Sequence, residues 1–209
     1  MKIIDLTHEI VEGMPVYPGT EPPEIKIATT IEKDGFEERL ITMFSHTGTH
    51  MDAPCHILKG GSTLSDFDIS DFTGRAVLID VRGMNEVTVE HVQKYSGELE
   101  NAKFAVLHSG WDKLWGTPEY FKNFPVLNDS AAELLATFDL KGICMDMISI
   151  DPADTVTYAN HRIIFKKGLV IVENLRGLES IGTEVFELTC LPLNIKGGDG
   201  SPVRAFALA

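Results

Sequence analysis

The amino-acid sequence predicts an α/β fold built on a mixed sheet, and three patterns carry that expectation. Short, almost wholly apolar runs recur at residues 76–81, 104–107, 142–145 and 169–172. They have the length and composition of strands buried on both faces. Stretches with helical spacing lie between several of these runs, which is the alternation that builds βα units. The first 45 residues instead alternate in polarity around a turn, as a hairpin does. Parallel and antiparallel pairing are therefore both expected. The 209 residues, 44% of them hydrophobic, fit one domain spanning residues 1–209, with no repeat or linker to divide it.

The elements follow in order. Residues 2–6 read as a short strand. Residues 13–23 carry four of the ten prolines and two glycines, and read as a loop. Residues 24–31 and 38–44 read as strands around a turn at 33–35, and residues 45–59 as irregular. The run at 76–81 is ended by Gly83. Residues 88–95 read as a helix, with Thr88 able to cap it and Val89, Val92 and Tyr95 spaced three apart. Asp129 is the expected cap of a helix reaching Thr137. A further helix spans 155–167, closed by Lys166-Lys167-Gly168. Residues 169–173, 187–195 and 203–208 are the remaining strands. Gly197-Gly198-Asp199-Gly200 reads as a turn between the last two.

Composition excludes several classes. With 18 basic against 31 acidic residues the chain carries −13, which repels nucleic-acid backbones and anionic membrane surfaces. No apolar run approaches the ~20 residues of a membrane span. The start, Met1-Lys2-Ile3-Ile4-Asp5, reaches an acid at once, so no secretory signal is expected and the cytoplasm is the expected location. The three cysteines form no CxxC and no disulfide framework. No GxGxxG, P-loop or GxSxG motif occurs.

One segment concentrates chemistry: His46-Thr47-Gly48-Thr49-His50-Met51-Asp52-Ala53-Pro54-Cys55-His56. Composition alone would give H-x3-H-x-D-x3-H about 5 times in 10,000 such chains. His50 and Asp52, two apart, point to one side of an extended segment, and His46 has the same parity. Pro54 biases Ala53 to extended geometry. Imidazole and carboxylate donors suit zinc and other first-row divalent ions such as manganese. Three protein ligands would leave a coordination position open, as in catalytic sites. Cys55 points away if the segment is extended. His8, His91 and His108 read as structural or surface residues. Asp146, Asp151 and Asp154 read as caps and turn formers, or as partners of metal ligands.

That segment resembles the HxGTHxDxPxH signature of the metal-dependent cyclase family, which includes bacterial kynurenine formamidases and isatin hydrolase. The likeness extends to Pro15-Val16-Tyr17-Pro18-Gly19, to Asn160-His161-Arg162, to Ile171-Val172-Glu173-Asn174-Leu175 and to residues 198–205. It implies the swivelling β/β/α fold, a homo-oligomer (most simply a dimer) and two divalent metal ions per chain, zinc first and manganese as the alternative. It implies that His46, His50 and Asp52 hold one ion, with Asp52 reaching the other, His161 joining the second and Glu173 touching both. His56 becomes the general acid/base, and a ligand role is its alternative. The implied activity is hydrolysis of an amide C–N bond, as in N-formylkynurenine, or of another amide, ester or isatin-like lactam; the residues alone also leave open a non-catalytic metal-binding protein. Tyr17 occupies the position where the formamidases carry a substrate-facing tryptophan.

Overall fold

The apolar runs become strands of a sheet that closes on itself. The computed structural model describes residues 2–209. Its strands are β1 (Ile3–Asp5), β2 (Glu24–Thr29), β3 (Glu38–Thr42), β4 (His50–Asp52), β5 (Thr73–Asp80), β6 (Glu86–Val87), β7 (Phe104–His108), β8 (Val126–Leu127), β9 (Gly142–Met145), β10 (Val170–Glu173), β11 (Val185–Pro192) and β12 (Gly200–Leu208). The main sheet runs β1-β12-β11-β5-β7-β9-β10-β4, and β4 pairs back onto β12 to complete a barrel. β5, β7, β9 and β10 are parallel and in step, with Ala76 opposite Phe104, Phe104 opposite Gly142 and Gly142 opposite Val170. The pairs made by β1, β4, β11 and β12 are antiparallel, so the sheet is mixed as expected. Closure depends on the length of β12. Along one edge its first three residues pair with β4 and its end pairs with β1, while β11 takes the other edge.

Alternation along the parallel strands explains their near-continuous apolarity. Phe104, Val106, Cys144, Val170 and Val172 fill the barrel with Met51, Leu188, Cys190 and Ala205. Ala105, Leu107, Ile143, Met145 and Ile171 point outward, into a second core with Val92, Leu99, Ala131, Leu135, Ile164 and Phe165 from the helices. Burying each large side chain contributes about 1.5–3 kcal/mol. The helices are short: α1 (Ile31–Asp34), α2 (Val89–Gln93), α3 (Ser96–Leu99), α4 (Asp129–Leu135) and α5 (Ala159–Phe165). None of the described helices is long and apolar enough to cross a membrane.

Several boundaries differ from the sequence reading. The turn between β2 and β3 contains the one-turn helix α1, closed by Gly35 at φ 80°. The expected helix at 88–95 is α2 followed by the separate α3. Asn128, not Asp129, caps α4, its side chain accepting from the Ala131 amide. The helix expected at 155–167 begins only at Ala159, because Tyr158 sits at φ 52°, outside helical space. The turn expected at 197–200 gives way at Gly200 to β12. The hairpin β2–β3 pairs only within itself and leaves Ile27, Leu40 and Ile41 exposed.

Candidate active site

β4 is three residues long, yet it sets the site. Met51 is fully buried in the barrel, so His50 and Asp52 project from the opposite face. The antiparallel neighbour β10 places Glu173 directly across from His50 on that same face. On β4's other side Gly200 lies opposite Asp52. A Cβ there would come within 2.5 Å of the His46 ring, so glycine supplies the room in which that imidazole lies. His46 itself is in a bend rather than a strand, held by the Thr47 hydroxyl donating to the Phe44 carbonyl (2.8 Å). Strand parity therefore accounts for His50 and Asp52 but not for His46. In α5 the spacing of His161, Ile164 and Phe165 puts all three on the buried face, which brings His161 to the carboxylates.

The donor atoms converge. His46, His50 and Asp52 form one triad, and Asp52, His161 and Glu173 a second, each with ligand atoms within 4.8 Å of one another; His46, His56 and Asp199 meet the same distance in a more exposed group outside these triads. Asp52 is common to both. Its Oδ1 lies 2.6 Å from His46 Nδ1 and 3.2 Å from His50 Nε2, and its Oδ2 lies 3.8 Å from His161 Nε2. Glu173 stands 3.7 Å from His50 Nε2 and 3.6 Å from His161 Nε2. The histidines are also anchored from behind. His50 Nδ1 donates to the Gly48 carbonyl (2.8 Å), which the left-handed Gly48 turns toward it. His161 Nδ1 donates to Asp151 (2.6 Å), and that carboxylate also accepts the Asn160 and His161 amides at the start of α5. Asp151 is thus both a cap and the partner of a candidate ligand. Asn174 braces Gly48, donating to its carbonyl (2.8 Å) while accepting from the Tyr120 hydroxyl (2.6 Å).

This donor set fits a divalent ion. Asp52 and Glu173 are 1% and 5% exposed, and among the described residues their ion-pair partners are histidines, with no lysine or arginine. Buried carboxylates of this kind need a cation, and the imidazoles turn ring nitrogens toward them. Burial opposes charge on these rings, but Asp52 and Asp199 raise His46 to about 9, and Asp151 with Asp52 raises His161 to about 10. Burial and the neighbouring Asp52 push Glu173 up to about 7. Protons on these groups compete with a cation for the same nitrogen and oxygen atoms. Metal uptake should release protons, and affinity should rise with pH toward about 9–10. Calorimetric titration in two buffers of different ionisation enthalpy reads this directly. Uptake without proton release, at an affinity indifferent to pH, would contradict it.

His56 lies in a 3-10 turn just beyond Pro54, one third exposed, with its ring centroid 3.9 Å from that of His46. Burial lowers its pKa, so it is neutral at physiological pH. The cavity in front of these groups measures about 300 Å³, and Tyr17, Phe44, Ile57, Ile148 and Tyr158 form its apolar wall. The Tyr17 hydroxyl donates to the Ala153 carbonyl (3.1 Å), which presents the ring, not the hydroxyl, as its bulk. Other sequence candidates lie elsewhere. His8 stacks on Trp115, His91 donates to the Asp80 carbonyl, and His108 lines a separate surface depression. Asp146 accepts from Ser109 and Gly110, a structural role. Asp199, which the sequence places in a turn and not among the candidates, stands 3.0 Å from His46 Nε2 and 3.8 Å from His56 Nδ1. Its one sequence signal is its placement between glycines at the start of an alternating run.

Comparison with known proteins is consistent with this picture. The Cyclase family model matches residues 4–152. Kynurenine formamidase of Bacillus cytotoxicus is 32% identical over 204 residues, covering 97% of this chain and 95% of that protein. The Bacillus cereus enzyme of the same name is 31% identical over the same length. These alignments run on past His161 and Glu173. A solved structure described as a potential metal-dependent hydrolase with cyclase activity superposes with a TM-score of 0.79 at 28% identity, covering 99% of this chain and 96% of that one. An isatin hydrolase bound to the product analogue thioisatinate superposes with a TM-score of 0.89 over 100% of this chain and 92% of its own; at 21% identity it attests the fold. With more than half of its length matched by the family model and relatives above 30% identity along nearly all of it, this chain belongs to the Cyclase family.

Proposed function

We propose that the chain is a metal-dependent hydrolase of amide C–N bonds, acting as an arylformamidase that converts N-formylkynurenine to kynurenine and formate. The observation that carries this reading is the pair of donor triads sharing Asp52 at the mouth of an aromatic-walled cavity, with the His56 ring beside them. The relatives named kynurenine formamidase support the substrate. His46, His50, Asp52, His161 and Glu173 would hold two divalent ions, zinc or, alternatively, manganese. Such an ion supplies Lewis acidity, lowering the pKa of water from 15.7 toward about 7 and polarising the scissile carbonyl. The chain's own residues do the rest. Tyr17, Phe44 and Tyr158 pack against an aryl ring and exclude water around it. His56 takes a proton from the attacking water and returns it to the leaving nitrogen, so that an amine and formate depart. The resemblance supports a homodimer for the working form.

A second reading keeps this chemistry and changes the substrate. Tyr17 is smaller than the formamidases' tryptophan and is tied to Ala153, which suits a compact lactam of the isatin type. One experiment separates the two. After reconstitution with zinc or manganese, hydrolysis of N-formyl-L-kynurenine should reach a kcat/KM above about 10⁴ M⁻¹s⁻¹ and vanish on chelation. A background rate on that substrate together with fast metal-dependent opening of isatin would select the second reading. Failure on both, with no metal taken up, would sink the hydrolase assignment.

A further inference from the structure

We propose that Asp199 is a positioning residue that fixes the imidazole of His46 and holds a negative charge beside that of His56, a role that rests on the hydrolase reading above. The three histidines of the donor triads each turn one nitrogen toward the carboxylate cluster and need an acceptor for the other. His50 has the Gly48 carbonyl and His161 has Asp151. For His46 that acceptor is Asp199, at 3.0 Å from Nε2, while Nδ1 faces Asp52. The same Asp199 oxygen lies 3.8 Å from His56 Nδ1. One carboxylate therefore spans a candidate metal ligand and the candidate acid/base.

The backbone makes this placement firm although the side chain is 51% exposed. The Asp199 carbonyl accepts from the Ala53 amide, and the Gly198 carbonyl from the Leu64 amide, both at 2.9 Å. Gly197 donates to the Ser65 hydroxyl at 3.0 Å. The loop is thereby fastened to both flanks of the turn that carries His56. Gly200 completes the arrangement, since only a residue without a Cβ leaves the His46 ring in reach of its neighbour. A carboxylate on the far N–H of a ligand imidazole fixes the ring and raises its basicity, and losing such a partner costs about 10–100-fold in metal affinity or activity. At 3.8 Å from His56 Nδ1 the carboxylate is outside hydrogen-bond reach and acts on that ring through its negative charge.

The test compares Asp199→Ala and Asp199→Asn with the wild type, each reconstituted with zinc. Zinc affinity is read by competition with a chromogenic chelator. At saturating zinc, kcat and KM are read on whichever substrate the wild type hydrolyses, N-formyl-L-kynurenine or isatin. Asp199→Ala should bind one of two ions about 10–100-fold more weakly and leave the other unchanged. Its kcat should fall by about tenfold or more while KM stays put. Asp199→Asn should recover part of the zinc affinity, because its amide oxygen still accepts from His46 Nε2–H. It also carries the test if the alanine variant fails to fold. Unaltered affinity and kcat in both variants, or a loss confined to KM, would overturn the positioning role while leaving the hydrolase reading intact. A wild type that neither takes up zinc nor turns over either substrate would overturn both.

Discussion

Asp52→Asn is expected to deplete the centre of metal and lower kcat/KM by about a thousandfold. Asp52 belongs to both triads, and its two oxygens face His46, His50 and His161. Asparagine has nearly the same shape, so the packing around this 1% exposed side chain survives. The negative charge does not, and it is the charge that a divalent ion would bind. Lewis-acid stabilisation of a transition state contributes several kcal/mol. At about 1.4 kcal/mol per tenfold, its loss amounts to roughly three orders of magnitude. Metal analysis by plasma mass spectrometry and steady-state kinetics read the two effects, with circular dichroism reporting the fold. A variant with full metal content and activity within about tenfold of wild type would remove Asp52 from the centre.

His56→Ala should give the opposite pairing of results, with turnover lost and metal kept. His56 belongs to neither Asp52 triad, although with His46 and Asp199 it forms a more exposed donor group, and burial lowers its pKa, which favours a ring able to accept a proton. General acid–base catalysis contributes about 10²–10⁴-fold, and kcat should fall by that much. Metal content should stay at the wild-type value. Metal loss in step with activity would make His56 a ligand, the role its spacing from His46 and Asp52 also permits. Together the two variants separate holding a metal from moving a proton.

What the sequence reveals depends on how local the cause is. The parallel strands are legible because burial on both faces leaves unbroken apolar runs, as at Phe104–His108. β4 is not legible as a strand, since three residues between a glycine turn and Pro54 show no period. Its chemistry is visible all the same, because His50 and Asp52 are two apart. His46 reaches the cluster for a different reason, the vacant side-chain position at Gly200, more than 150 residues away. No local pattern carries that information. His161 and Glu173 enter through family resemblance, because neither residue alone differs from a helix-face histidine or a strand-end acid. Asp151 is ambiguous from sequence, since a helix cap and the partner of a ligand want the same residue at the same place. The late start of α5 comes from the left-handed Tyr158, whose cavity-facing ring is a tertiary demand.

If Asp52 joins two metal-binding triads in one active centre, zinc occupies both. Anomalous diffraction from crystals of the zinc-reconstituted chain, recorded at the zinc edge, reads this without intermediate steps. Two peaks are expected, one among His46, His50 and Asp52 and one among Asp52, His161 and Glu173. A single peak would halve the centre, and zinc bound elsewhere, with these side chains still paired to one another, would contradict it.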